Sequence, residues 1–172
     1  MEVEKCSLEG LFKIKSTLIE DNRGFFREHY RASALKEAIG RAPLFNQGNH
    51  SRSNKGVLRG FHCEPWDKLV YVVRGTALCV VADTRPESQT FGSVESFLMG
   101  DEPGSHFRLF ISEGLSNAFY CYTDVDYVND VSAEFCPENR KGVIWNDPTL
   151  KVVWPTTSPV VSEWDAGLPT LK

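Results

Sequence analysis

The sequence lacks the raw material of several protein classes. It has no basic excess: 19 Lys and Arg stand against 23 Asp and Glu, a formal net charge of −4. No positive field is available to gather a phosphate backbone, so nucleic acid is not an expected partner. No apolar run approaches the ~20 residues that span a bilayer. The opening MEVEKCSLEG is acidic rather than signal-like, and the expectation is a cytoplasmic protein with no membrane partner. Five cysteines, Cys6, Cys63, Cys79, Cys121 and Cys136, are odd in number, scattered, and without a C-x-x-C pair. They read as reduced thiols rather than as a disulfide framework or a zinc site. Long stretches of helical periodicity are scarce, which argues against a helical bundle.

What is present is a succession of short apolar or alternating runs cut by Gly, Pro, Asn and Asp. Strands are expected over 10–16, 24–31, 44–53, 76–83, 93–99, 107–111, 117–122 and 127–132. Residues 33–39 are the one respectable helix candidate, with Ser33 as cap and Gly40 as stop. Along 44–53 the polar residues Gln47, Asn49, Ser51 and Ser53 alternate, so that strand borders solvent or lines a pocket. From Pro137 onward the chain reads as irregular. Many short strands at this spacing predict an all-β sandwich or barrel, one domain over 1–172, with one or two short helices.

The stretch from Gly56 to Gly75, GVLRGFHCEPWDKLVYVVRG, draws three ionisable side chains together. It reads as two strands joined at Pro65-Trp66-Asp67, a hairpin that sets Lys68 roughly opposite Glu64, with His62 and Glu64 on one face. Its spacing resembles the first cupin motif, G-x5-H-x-H-x3-E-x6-G, and so implies a cupin-type jelly roll. Two of the three ligand positions are changed, to Glu64 and Lys68, and the site of a further His holds Asn117. A lysine ammonium has no lone pair and repels a divalent cation, so neither a metal nor a cofactor is expected.

The chain also resembles the dTDP-4-dehydrorhamnose 3,5-epimerase family, a metal-free branch of that fold. The matching pieces are Asp21-Asn22-Arg23-Gly24-Phe25-Phe26-Arg27-Glu28, Gln47-Gly48-Asn49-His50-Ser51, Gly56 to His62, Lys68-Leu69-Val70, Val81 to Arg85, Thr90-Phe91-Gly92, Trp145-Asn146-Asp147-Pro148, Trp154-Pro155 and Ser162-Glu163-Trp164-Asp165. The resemblance implies a nucleotide-sugar substrate and epimerisation at C3 and/or C5 of a 4-keto-6-deoxysugar. By the same resemblance His62 with Asp165 is the base and Lys68 favours the enolate charge. Arg23, Phe26, Glu28, Gln47, Asn49, Ser51, Arg59 and Asn117 would meet the substrate. A homodimer, with an N-terminal strand exchanged between subunits, is the assembly it implies. His29, His50 and His106 fit no comparable pattern.

One family feature is missing. Counting back from Pro137 puts the family's proton-donating tyrosine at Asn129, and counting forward from Phe119 puts it at Asp130; both are kept as candidate catalytic positions, with water, Asp130 or another side chain as the proton source. Tyr127 reads as reaching that place only through a register slip. A ketoisomerase moving the carbonyl between C3 and C4, a non-catalytic sugar-nucleotide binder, and a metal-dependent cupin stay open as alternatives.

Overall fold

The structure, a computed structural model, describes residues 1–171. Twelve strands are laid down in chain order: β1 Glu2–Lys5, β2 Leu11–Lys15, β3 Ile19–Asp21, β4 Gly24–Phe26, β5 Gln47–Ser53, β6 Leu58–His62, β7 Lys68–Arg74, β8 Thr76–Asp83, β9 Val94–Gly100, β10 Arg108–Ile111, β11 Leu115–Cys121 and β12 Val125–Val131. Two short helices, α1 Ala32–Ile39 and α2 Glu163–Ala166, accompany them. Gly40 ends α1 in the left-handed conformation, at φ 82°, which a side chain would resist. Among the described residues no helix is long and apolar enough to cross a membrane.

The strands form a six-stranded sheet in the order β1-β2-β10-β7-β12-β5 and a four-stranded sheet in the order β6-β11-β8-β9, with β3-β4 as a separate ribbon. All pairings between these strands are antiparallel. The sheets face one another over Leu11, Val70, Val72, Val81, Leu109, Leu115, Phe119 and Tyr127. The outer face of the large sheet is closed by α1, through Leu35 on Ile14, Leu69 and Phe110. The C-terminal segment covers the small sheet, where Val143, Leu150 and Trp154 pack with Phe61, Val80 and Ala118. This is the expected jelly-roll sandwich.

The stretch read as a hairpin is not one. β6 belongs to the small sheet and β7 to the large one, so Cys63 to Asp67 carries the chain across the sandwich rather than around a turn. His62 and Lys68 therefore come from opposite walls. The pattern of short apolar runs is the same for a hairpin and for a corner between sheets, which is why periodicity alone did not separate them. Another crossing, at Gly75 between β7 and β8, needs glycine: φ is +83° and a Cβ there would lie 2.0 Å from the Asp124 carbonyl oxygen.

Candidate active site

Between the two sheets lies a cavity of about 200 Å³ lined by Asn49, Ser51, Arg59, His62, Glu64, Lys68, Asn117, Phe119, Tyr127 and Asn129. Its mouth widens into a further space of about 530 Å³ that adds Gln47, Trp66, Phe135, Arg140 and Trp164. Alternation along β5 sends Gln47, Asn49 and Ser51 to this face, the pocket-lining outcome of the polar pattern.

Arg59 and His62 are three apart, and strict alternation would put them on opposite faces. A bulge resolves this. His62 pairs with Asn117 and Arg59 with Phe119, so the span 59–62 on β6 faces only 117–119 on β11. The extra residue re-aims the strand and brings both side chains to the cavity. Arg59 is held there by donating from Nε to Ser53 Oγ at 2.8 Å.

His62 Nε2 lies 2.7 Å from Asp165 Oδ1. That bond engages one ring nitrogen and leaves Nδ1 as the nitrogen available to a reacting group. Asp165 is 3 % exposed. Ser162 caps α2, its hydroxyl accepting from the Asp165 amide at 3.0 Å, and so fixes the carboxylate beside β6. Burial pushes the Asp165 carboxyl upward, but hydrogen bonds from His62, Ser162 and the Gly60 backbone outweigh it and hold the group below the ordinary carboxylate range. The Trp164 ring packs on His62, centroids 5.2 Å apart, and Arg140 lies over Trp164 at 3.7 Å. The dyad thus sits under an aromatic lip carrying a cation.

Lys68 is 2 % exposed and has all three ammonium hydrogens engaged. It donates to the His62 carbonyl oxygen at 3.0 Å and to Asn117 Oδ1 at 2.6 Å, and pairs with Glu64 Oε2 at 2.5 Å. So the lysine meets a ligand first as a buried positive charge rather than as a free donor. Among the described residues no group of three or more His, Cys, Asp or Glu is arranged to hold a metal ion.

Of the residues expected from sequence, His62, Lys68, Asp165, Gln47, Asn49, Ser51, Arg59, Asn117 and Asn129 gather at this cavity. Four do not. Asp130 is turned to the other side of the sheet, where Arg108 Nη2 binds its carboxylate at 2.7 Å. Neighbours on a strand face opposite ways, so Asn129 and Asp130 cannot both be pocket residues. Arg23 stands at the tip of the β3–β4 ribbon with its side chain 85 % exposed, paired with Asp21. Phe26 is 68 % exposed on the same ribbon, and Glu28 pairs with Arg31 at the surface.

Tyr127 lines the cavity although sequence reasoning left it outside the site. It needs no register slip, because it lies two positions from Asn129 and shares its face. Its ring stacks on Phe119 at 4.2 Å, and the residue forms part of the cavity wall. The alternation of 127, 129 and 131 was the signal that could have found it.

Fold and site together define a cupin-type jelly roll built around a histidine–aspartate dyad. The sequence model of the dTDP-4-dehydrorhamnose 3,5-epimerase family matches residues 5–172, and the chain belongs to that family. The dTDP-4-dehydrorhamnose 3,5-epimerase of Shigella flexneri is 33% identical over 170 residues, covering 96% of this chain and 93% of the relative. Among solved structures, a 4-keto-6-deoxy sugar epimerase from the novobiocin biosynthetic gene cluster of Streptomyces spheroides superposes with a TM-score of 0.95 at 32% identity, over 99% of this chain and 87% of that one. A 3'-monoepimerase from Streptomyces bikiniensis, in complex with dTDP-quinovose, gives 0.91 at 31% identity over 98% and 87%.

Proposed function

We propose that this chain is an epimerase of a nucleotide-diphosphate-linked 4-keto-6-deoxysugar, inverting C3, C5 or both by way of an enolate, in deoxysugar or surface-polysaccharide biosynthesis. The observation that carries the reading is the His62–Asp165 pair at 2.7 Å, facing the buried Lys68 charge across one cavity. A carbon-bound proton beside a ketone is acidified only if the developing oxyanion is stabilised and a base stands within reach. His62 Nδ1 is that base. Asp165, ionised and buried, fixes the imidazole tautomer and stabilises the imidazolium as the third group of a triad does. Lys68 supplies the charge that favours the enolate, in a site where the low dielectric makes it count. Arg59 and Gln47, at the mouth, suit the diphosphate and sugar; a guanidinium fork matches phosphate oxygens. The relatives' activities support epimerisation over carbonyl migration.

The proposal covers the assembly as well. Arg23, Phe26 and Glu28 stand away from the cavity of their own chain, on a ribbon that also exposes Ile19 and Phe25. We read that ribbon as docking on a second copy in a homodimer, so that these residues serve the partner's cavity. The working unit is then one domain over 1–172 per subunit, in the cytoplasm, where unpaired thiols persist.

Incubation with nucleotide-linked 4-keto-6-deoxysugars in deuterium oxide tests the activity. Deuterium enters beside the ketone, the product is an epimer, and His62→Ala abolishes both. No exchange with any such sugar, or full activity in His62→Ala, rejects the reading. Light scattering at twice the chain mass checks the dimer, and mixing His62→Ala with Arg23→Ala subunits regains activity if sites are shared.

A further inference from the structure

The mouth of the cavity carries two guanidinium groups, Arg59 and Arg140. Among the described residues neither pairs with a carboxylate, whereas Arg23, Arg31, Arg41, Arg52, Arg85 and Arg108 each do. The carboxylates near them are already matched: Glu64 meets Lys68, and Asp165 is buried against His62. In a chain of net charge −4, two uncompensated cations at one opening mark it for an anion. We propose that Arg140, braced on Trp164, is a phosphate-binding residue that takes one phosphoryl group of the sugar nucleotide beside Arg59. This inference rests on the epimerase reading and adds a substrate contact that the sequence did not point to.

Arg140 is held from two directions. Its backbone is tied to β6: the Cys63 N–H donates to the Lys141 carbonyl at 2.9 Å, Gly142 bridges His62, and Phe61 and Val143 exchange backbone hydrogen bonds at 3.0 and 3.1 Å. Arg140 therefore stands two residues from the backbone partner of the base itself. Its side chain lies over Trp164, with the guanidinium carbon 3.7 Å from the ring centroid. Trp164 is fixed in turn by its place on α2 next to Asp165, and its ring packs on that of His62 at 5.2 Å.

A guanidinium resting on an indole commits its flat face to the ring and keeps its N–H edge for acceptors. Arg59 gives only Nε to Ser53, which leaves both of its Nη groups for a ligand. The diphosphate of a sugar nucleotide carries two negative charges, one on each phosphoryl group, and each group offers paired oxygens that match a guanidinium fork. Two cations at one mouth answer that charge. Stacking also restricts the Arg140 side chain before the ligand arrives, so less rotamer freedom is lost on binding than for a lone surface arginine.

Calorimetric titration of the full chain with thymidine, cytidine and guanosine diphosphates selects the tightest-binding nucleotide, which is then carried to the variants. Arg140→Gln removes charge and fork from an exposed side chain, so the fold is kept. Its affinity for that nucleotide falls about 10- to 100-fold. The KM for the 4-keto sugar nucleotide rises by a similar factor, while kcat changes by less than about threefold. Arg140→Lys keeps the charge without the fork and stays at least about threefold weaker than wild type. Trp164→Leu takes away the platform and weakens binding about three- to tenfold. Arg74→Gln deletes an equal charge at the end of β7, outside the cavity, and binds as wild type does. Affinity and KM in Arg140→Gln within about twofold of wild type, or an equal loss in Arg74→Gln, overturn the assignment and leave the epimerase reading intact. Wild-type protein that neither binds any of the three nucleotides nor exchanges any 4-keto sugar nucleotide overturns both.

Discussion

Lys68 offers the sharpest separation of a structural from a chemical role. Lys68→Met keeps the stem's volume and removes the ammonium. Glu64, whose side chain is 16 % exposed, and Asn117 Oδ1 then lose the partner they met at 2.5 and 2.6 Å. Breaking a buried ion pair from one side costs about 3–5 kcal/mol, because the remaining charge is stranded. For a chain of this size each kcal/mol moves the melting temperature by about 2–4 °C, so the expected fall is roughly 6–20 °C. Catalysis falls by about 10²–10³ in kcat, the usual loss when one oxyanion-stabilising group goes. The double variant Lys68→Met/Glu64→Gln removes both charges and should recover most of the stability. It should recover none of the rate, because the enolate still lacks its cation. Thermal melting followed by circular dichroism, together with solvent deuterium uptake, reads the two quantities on the same preparations. If activity returns with stability in the double variant, Lys68 only neutralises Glu64, and the electrostatic argument is wrong.

The remaining predictions are simpler. Asp165→Asn leaves the fold and the melting temperature nearly unchanged but lowers kcat by about 10²–10⁴, since an amide neither fixes the required His62 tautomer nor stabilises the imidazolium; a loss below tenfold would remove Asp165 from the mechanism. His29 accepts from Arg108 at 2.8 Å, and its pKa is lowered by burial and by the Arg108 and Arg27 charges. A histidine depressed in the fold makes its full contribution above the unfolded value near 6.5 and loses it as pH falls towards the folded value, because the unfolded chain binds the proton first. Denaturation midpoints of wild type should therefore drop more steeply between pH 7 and 5.5 than those of His29→Gln, and parallel slopes would contradict the coupling. Gly75→Ala drives a Cβ to 2.0 Å from the Asp124 carbonyl at φ +83°. It should cost at least ~2 kcal/mol, a fall of roughly 4–8 °C.

The sheet class, the helix stop at Gly40, the polar face of β5 and the dyad partners were legible because each follows from a local rule or from a matched motif. Alternation gave Gln47, Asn49 and Ser51 to one face, and the structure keeps them there. Geometry beyond the local period was not legible. A strand that ends in a corner and one that ends in a hairpin carry the same short-range pattern, so β6 and β7 read as partners when they are opposite walls. A bulge has no strong residue signature, and without it Arg59 and His62 fall on different faces. The exposed positions of Arg23, Phe26 and Glu28 were hidden for another reason: a resemblance transfers the residue but not its surroundings.

The difference between position and face also separates the two candidates on β12, Asn129 and Asp130. A motif is aligned by position, so the vacancy at Asn129 drew attention to its neighbour Asp130. Chemistry is delivered by face, however, and a strand offers a face at every second residue. Moving one step along β12 turns the side chain out of the cavity to Arg108, whereas moving two steps keeps it inside and arrives at a phenol. Whatever takes over from a lost pocket residue on a strand must come from positions of the same parity or from the facing sheet. On β12 that rule excludes Asp130 before any pKa is considered. The ionisable side chains that the large sheet brings to the cavity are Tyr127 on β12 and Lys68 on β7.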